Sequence, residues 1–126
     1  MPVLTKQPSM GDVLKYEANP NYTREVITLL QGMPYPVGSV LGQITASGKY
    51  KMATATGSDG AQNASAVLLY AVDATLEDAT GIVLVRGPAI VSREGLAYDG
   101  TVDDATKITA KITQLAAVGI IARDGV

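Results

Sequence analysis

A mostly β domain with one C-terminal α-helix, preceded by an extended N-terminal arm, is the fold that the 126-residue sequence predicts. Three observations carry this. Short runs rich in β-branched residues recur between glycine and proline breaks from Tyr22 to Ser92, as strands require. A helical period appears near the C-terminus, where Ala105, Ile108, Ile112, Leu115 and Gly119 follow one another at intervals of three or four residues. Residues 1–21, "MPVLTKQPSMGDVLKYEANPN", show no sustained period and carry Pro2, Pro8 and Pro20. Each proline biases the residue before it to extended backbone.

The arm has one short apolar patch, Val13, Leu14 and Tyr16. From there the elements of a single domain, residues 22–126, follow in order. "YTREVITLL" alternates and reads as a strand. Gly32, Pro34, Pro36 and Gly38 then interrupt the chain. "SVLGQIT" and "KYKMAT" read as two strands joined by a turn at Ala46–Gly48. "ATGSDGAQNAS", residues 55–65, has the composition of a solvent-facing loop. "AVLLYAV" and "GIVLVRG" have strand length, with the acidic "DATLEDAT" connecting them, and "AIVS" and "LAYD" are further short strands. The helix is predicted over about residues 102–118. Thr101 with Asp104 three residues on resembles a capping box, and Lys107 and Lys111 fall on its solvated face. It should fail near Gly119, where "GIIAR" resumes as a strand.

The core must be built from small aliphatics, because the chain has 6 Tyr but no Phe or Trp. Such side chains bury less area each than aromatics, so burial shared with neighbouring subunits fits the composition. A net charge of −2 without a basic run is unsuited to nucleic acid, where phosphate neutralisation supplies much of the affinity. No apolar run approaches the roughly 20 residues of a membrane helix. The opening "MPVLTKQPSM" lacks the charged and apolar regions of a secretory signal. A soluble protein without membrane or nucleic-acid partners is expected.

Chemistry finds little support. "VLGQITASGKY" resembles a phosphate-binding loop only in its Gly48–Lys49. Five residues rather than four separate Gly42 from Gly48, and Tyr50 stands where the Mg²⁺-binding hydroxyl belongs. Gly48 therefore reads as a turn. Without cysteine or histidine there is no thiolate site, and the commonest general base and metal ligand are missing. Glu77 with Asp78, or Asp99 with Asp103 and Asp104, lack the alternating ligands of a calcium loop. Ser39, Ser58 and Ser92 have no histidine to activate them, and Lys15, Lys49 and Lys107 sit in no nucleophile motif. No catalytic, cofactor or metal site is expected, and the protein reads as a non-enzyme.

The order of landmarks is more specific. "GDVLKYE", "YTREVITL", "GSVLGQITASGKY", "AVLLYAVDAT", "VLVRGPAIV" and the closing "GIIAR" together resemble the lambda-type head decoration proteins of tailed bacteriophages, over nearly the whole chain. The resemblance implies an irregular β-domain of β-clip type and a structural role. Such proteins form homotrimers on the outer surface of the expanded head, at three-fold and quasi-three-fold positions, and clamp coat subunits (the major capsid protein) against the pressure of packaged DNA. It also implies a location on the virion after assembly in the host cytoplasm. The arm would order on the capsid by adding a strand to a coat-protein loop, a mode that gains main-chain hydrogen bonds without a core. Val13, Leu14 and Tyr16 are its candidate anchors. Arg24 and Arg86, in "YTRE" and "VRGPA", are candidates either for intersubunit contacts or for ordinary ion pairs and turn braces. The alternative function is a β-rich module binding a small ligand or carbohydrate, against which the scarcity of aromatics counts.

Overall fold

The computed structural model describes residues 9–124, so the first eight residues of the expected arm lie outside the described part. Its strands explain why several apolar runs fail to alternate: they are buried on both faces. The elements are α1 (Met10–Val13), β1 (Leu14–Glu17), α2 (Pro20–Thr23), β2 (Arg24–Leu29), β3 (Pro34–Tyr35), β4 (Val40–Gln43) and β5 (Tyr50–Met52). Then come β6 (Ala64–Leu68), β7 (Val72–Asp73), β8 (Ala79–Leu84), β9 (Ala89–Ser92), a 3-10 turn (Arg93–Gly95), α3 (Ala105–Ala117) and β10 (Ile120–Arg123). The protein is mostly β with one substantial helix at its C-terminal end.

Five strands close a barrel in the order β2-β5-β4-β6-β8. β2 and β8 run antiparallel in unbroken register from Arg24↔Leu84 to Leu29↔Ala79. The closing contact is slight, a parallel pair Leu29↔Tyr50 extended by the Leu30 amide donating to the Tyr50 carbonyl at 2.8 Å. A second sheet has the order β1-β9-β10, with β1 antiparallel and β10 parallel to the central β9. β3 and β7 form a small antiparallel pair.

Two apolar cores result. One gathers Leu29, Tyr35, Leu41, Ala66, Leu68 and Val83. The other gathers Val13, Val40, Val67, Leu84, Val91, Leu115 and Ile120, joining the outside of the barrel to the second sheet and α3. Adjacent residues of one strand therefore serve different cores: Val40 and Leu41 on β4, Val67 and Leu68 on β6, Val83 and Leu84 on β8. Burial on both faces demands a continuous apolar run rather than alternation. A register shift opposite Leu41–Gly42 inserts one extra residue into β6, which puts Ala64 and Val67 on the same core.

Several expected elements move. Tyr22 and Thr23 are not in a strand; Asn19 caps α2 by accepting from the Asn21 amide at 3.0 Å, with Pro20 at the first helical position. "AVLLYAV" breaks after Leu68 into a bend at Leu69 and Tyr70, where Leu69 stays buried while Tyr70 and Ala71 are exposed. "LAYD" yields only an isolated bridge, Ser39↔Ala97. The loop 55–65 is not wholly solvent-facing, since Ala61 is fully buried and the Ala61 backbone packs on Gly42.

α3 begins three residues later than the capping box suggested. Asp104 is its N-cap and accepts from the Lys107 amide at 2.8 Å, while the Thr101 hydroxyl accepts from the Ala55 amide. Lys111 is the largest departure on this helix. It is only 2% exposed and shares the buried face with Leu115. Its aliphatic stem is compatible with apolar surroundings, and its ammonium donates to the Gln62 carbonyl and lies 3.4 Å from Gln114 Oε1. Burial lowers its pKa from the ordinary lysine value. The same Gln114 oxygen accepts from the Ala64 amide at 2.7 Å, so the helix is tied to β6 through polar bonds as well as Leu115.

Candidate functional site

Most of the residues weighed for chemistry are engaged in local structure. Gly48 adopts φ +75, a left-handed turn conformation that glycine accepts without strain, and Lys49 pairs with Asp78 at 2.6 Å. The Asp99 carboxylate accepts from the Thr101 amide, Asp104 caps α3, and Asp103 pairs with Lys107 at 2.8 Å. The Ser39 hydroxyl donates to the Pro36 carbonyl at 2.6 Å, and that of Ser92 to Glu94 at 3.0 Å. Among the described residues no group of three Asp or Glu side chains could hold a metal ion, and no helix is long and apolar enough to cross a membrane.

The three expected arm anchors separate. Val13 is fully buried, in the core cluster that also holds Val37, Val40 and Leu96. Leu14 is half-buried against the same core and pairs with Val91. Tyr16 alone is open, 53% exposed. It lies on the outer face of the second sheet, in register with Ile90, which is in turn in register with Ile121. The residues from Met10 onward are thus built into the domain as α1 and β1, and not as a free extension. There β1 pairs antiparallel with β9, and Val13 fills part of the core.

A charged clasp holds this segment down. Glu17, the last residue of β1, forms an ion pair with Arg24, the first of β2, and Arg24 Nε lies 3.1 and 3.2 Å from its two carboxylate oxygens. The Thr23 hydroxyl donates to the same carboxylate at 2.6 Å. The Arg24 guanidinium, with smaller help from Thr23, holds the Glu17 carboxyl below its ordinary pKa, although burial opposes the shift. Arg86 makes a different and more open contact. It donates to the Tyr22 carbonyl, pairs with Glu25 at 3.2 Å and stands 5.2 Å over the Tyr22 ring. Each arginine is therefore held inside its own chain, and the two do not meet.

Sequence reasoning missed several participants. Glu17 went unremarked, although an acid seven residues before an arginine across the "NPN" turn was a readable signal. Val26, Tyr70, Val72 and Ile82 line a surface hollow of about 320 Å³ over the β2–β8 ladder. Leu76, 92% exposed in the β7–β8 loop, stood as a lone apolar residue among acids.

A comparison with curated proteins returns no match. A family model does match, nearly from end to end. It is described as bacteriophage lambda head decoration protein D and covers residues 3–120, which takes in the α1–β1 segment, the barrel and α3. The chain accordingly belongs to the bacteriophage lambda head decoration protein D family, a family of structural phage-head proteins.

Proposed function

We propose that this chain is a cement for the phage head, a homotrimer seated on the outer surface at three-fold and quasi-three-fold positions that holds coat subunits against internal DNA pressure. The family match over residues 3–120 carries the reading. Two features of the fold support it. β1 is an edge strand of the order β1-β9-β10, so one side of its backbone is open to a coat strand. Tyr16 stands exposed beside that edge. Residues 1–8, followed by the β1 edge and Tyr16, form the attachment element. Three such elements on one trimer raise the effective concentration of the second and third contacts, so individually weak pairings give firm seating. Leu14 positions β1, and Val13 is its peg in the core. Arg24 braces the attachment segment from within the chain, while the more open Arg86, with Tyr22, contributes a subunit contact.

Co-sedimentation with undecorated heads, unexpanded and expanded, tests this. Saturable binding to expanded heads is expected, and absence of binding to either form would refute it in favour of a ligand-binding module. The informative truncation removes residues 1–8 only. A cut at residue 21 would also delete Val13 and β1, and with them part of the core. The shorter deletion should keep the melting temperature and lose head binding. Undiminished binding would sink the attachment role of those residues.

A further inference from the structure

We infer that copies of this chain join head to tail, with the Leu76–Glu77 tip of one copy docking on Ile121 and Arg123 of the next. The inference rests on the proposed trimer and names its contact. A singly exposed leucine is ordinary on a protein surface, but here two charges are left over as well. Among the described residues neither the Glu77 nor the Arg123 side chain has an ion pair or a hydrogen bond. Each adjoins an apolar side chain that the fold also leaves open. Leu76 is 92% exposed next to Glu77, and Ile121 is 41% exposed two residues before Arg123.

The local structure presents both patches rather than leaving them loose. On β10, Ile120 and Ala122 face the core, so Ile121 and Arg123 share the outer face. β10 is also the second open edge of its sheet, on the far side of β9 from β1. The donor loop is pinned at both ends. The Asp73 carboxylate accepts from the Thr75 amide at 3.0 Å, and that of Asp78 accepts from the Gln31 amide at 2.8 Å and pairs with Lys49. A tip held this way loses little freedom on docking. The loop is anchored beside the closing seam of the barrel, whereas β10 lines the other core. Tip and seat are different surfaces of one subunit, which makes the contact heterologous. A heterologous contact closes into a ring when its rotation closes, as a three-fold rotation does in the proposed trimer. Apolar meets apolar and the leftover carboxylate meets the leftover guanidinium, while β1 stays free for the coat.

Sedimentation velocity of the full chain over a concentration series tests the contact, using Glu77→Lys, Arg123→Glu, the double swap and Leu76→Asp. Each single swap puts like charges together at every interface of the ring and should weaken assembly by roughly tenfold or more. Leu76→Asp should do the same. The double swap should recover assembly to within about threefold of the native chain, the non-additivity that marks a direct pair. Because both residues lie on the surface, unchanged melting curves will show that the singles are folded. Single swaps without effect, or a double swap as weak as the sum of its parts, would overturn the inference. A native chain that stays monomeric would overturn it too. Head binding is read separately, so a trimer insensitive to these swaps would leave the decoration reading standing.

Discussion

The clasp between Glu17 and Arg24 should be worth several times the superficially similar pair Glu25–Arg86. The difference lies in solvent. The Glu17 side chain is 9% exposed and that of Arg24 23%, against 50% for Glu25 and 38% for Arg86. Replacing Arg24 by Met keeps most of the packed stem but leaves a carboxylate with little water and only the Thr23 hydroxyl as a side-chain donor. A hydrogen bond to a charged group contributes about 1.5–3 kcal/mol, and removing one partner of a fully buried pair costs about 3–5 kcal/mol. Since Arg24 is not fully buried, about 2 kcal/mol is expected. Arg86→Met should cost less than about 1 kcal/mol, as exposed pairs do. Urea unfolding of both variants gives the comparison, and Glu17→Gln with Arg24→Met completes a cycle. The sign of the pH dependence follows from the lowered Glu17 pKa. A carboxyl whose folded value lies below its unfolded value adds stability above the unfolded value and loses it as pH falls through the folded one. Native protein should therefore lose stability in that acid range faster than Glu17→Gln. If Arg24→Met and Arg86→Met cost the same, or the Glu17→Gln profile tracks the native one, the clasp is not what holds β1 to the barrel.

Three further outcomes are expected. Lys111→Ala should cost about 2–3 kcal/mol in urea unfolding, because it strands the Gln62 carbonyl and opens a void, whereas Lys107→Ala, on an exposed pair, should cost under about 0.5 kcal/mol. Since burial lowers the Lys111 pKa, the native fold should gain stability as pH rises from that folded value toward the ordinary lysine value, and Lys111→Met should lack this gain in a pH series of melts. Gly87→Ala should destabilise by about 3 kcal/mol or more, because a Cβ there would stand 1.8 Å from the Gly119 carbonyl oxygen; Gly100→Ala, with nothing within 4 Å, is its control in the same thermal melt.

Where local pattern and final environment agree, the sequence was readable. "AIVS" became β9 residue for residue, and "GIIAR" became β10 after a one-residue offset. The C-terminal helix was predicted at about 102–118 and runs over Ala105–Ala117, its start delayed because Thr101 is spent on Asp99 and Ala55. Patterning failed where a long-range partner decides the outcome. Nothing near Val13 announces that it will join a core with Val37, Val40 and Leu96, so a proline-flanked segment looked like a free arm. Lys111 looked solvated because lysine usually is, and its acceptor lies 49 residues away at Gln62. The candidate contact residues depended on the same knowledge. Tyr16 was legible as an apolar residue in a polar stretch, but only register with Ile90 and Ile121 puts it on an outer face. Glu77 and Arg123 became notable only once the other charged side chains of the described residues had been given partners.

The placement of β9 has a mechanical consequence. It is flanked on one side by the strand that follows the N-terminal segment and on the other by the strand that closes the chain. On the proposed attachment, a coat subunit pulling residues ahead of Leu14 along the strand would load the β1–β9 hydrogen bonds in shear, where they share the force, instead of peeling them one after another. Val13 behind the ladder and the Glu17–Arg24 clasp beyond it act as stops at either end. Tension applied to a few terminal residues is thereby spread into both cores, and the same small fold can serve as a rivet as well as a cap.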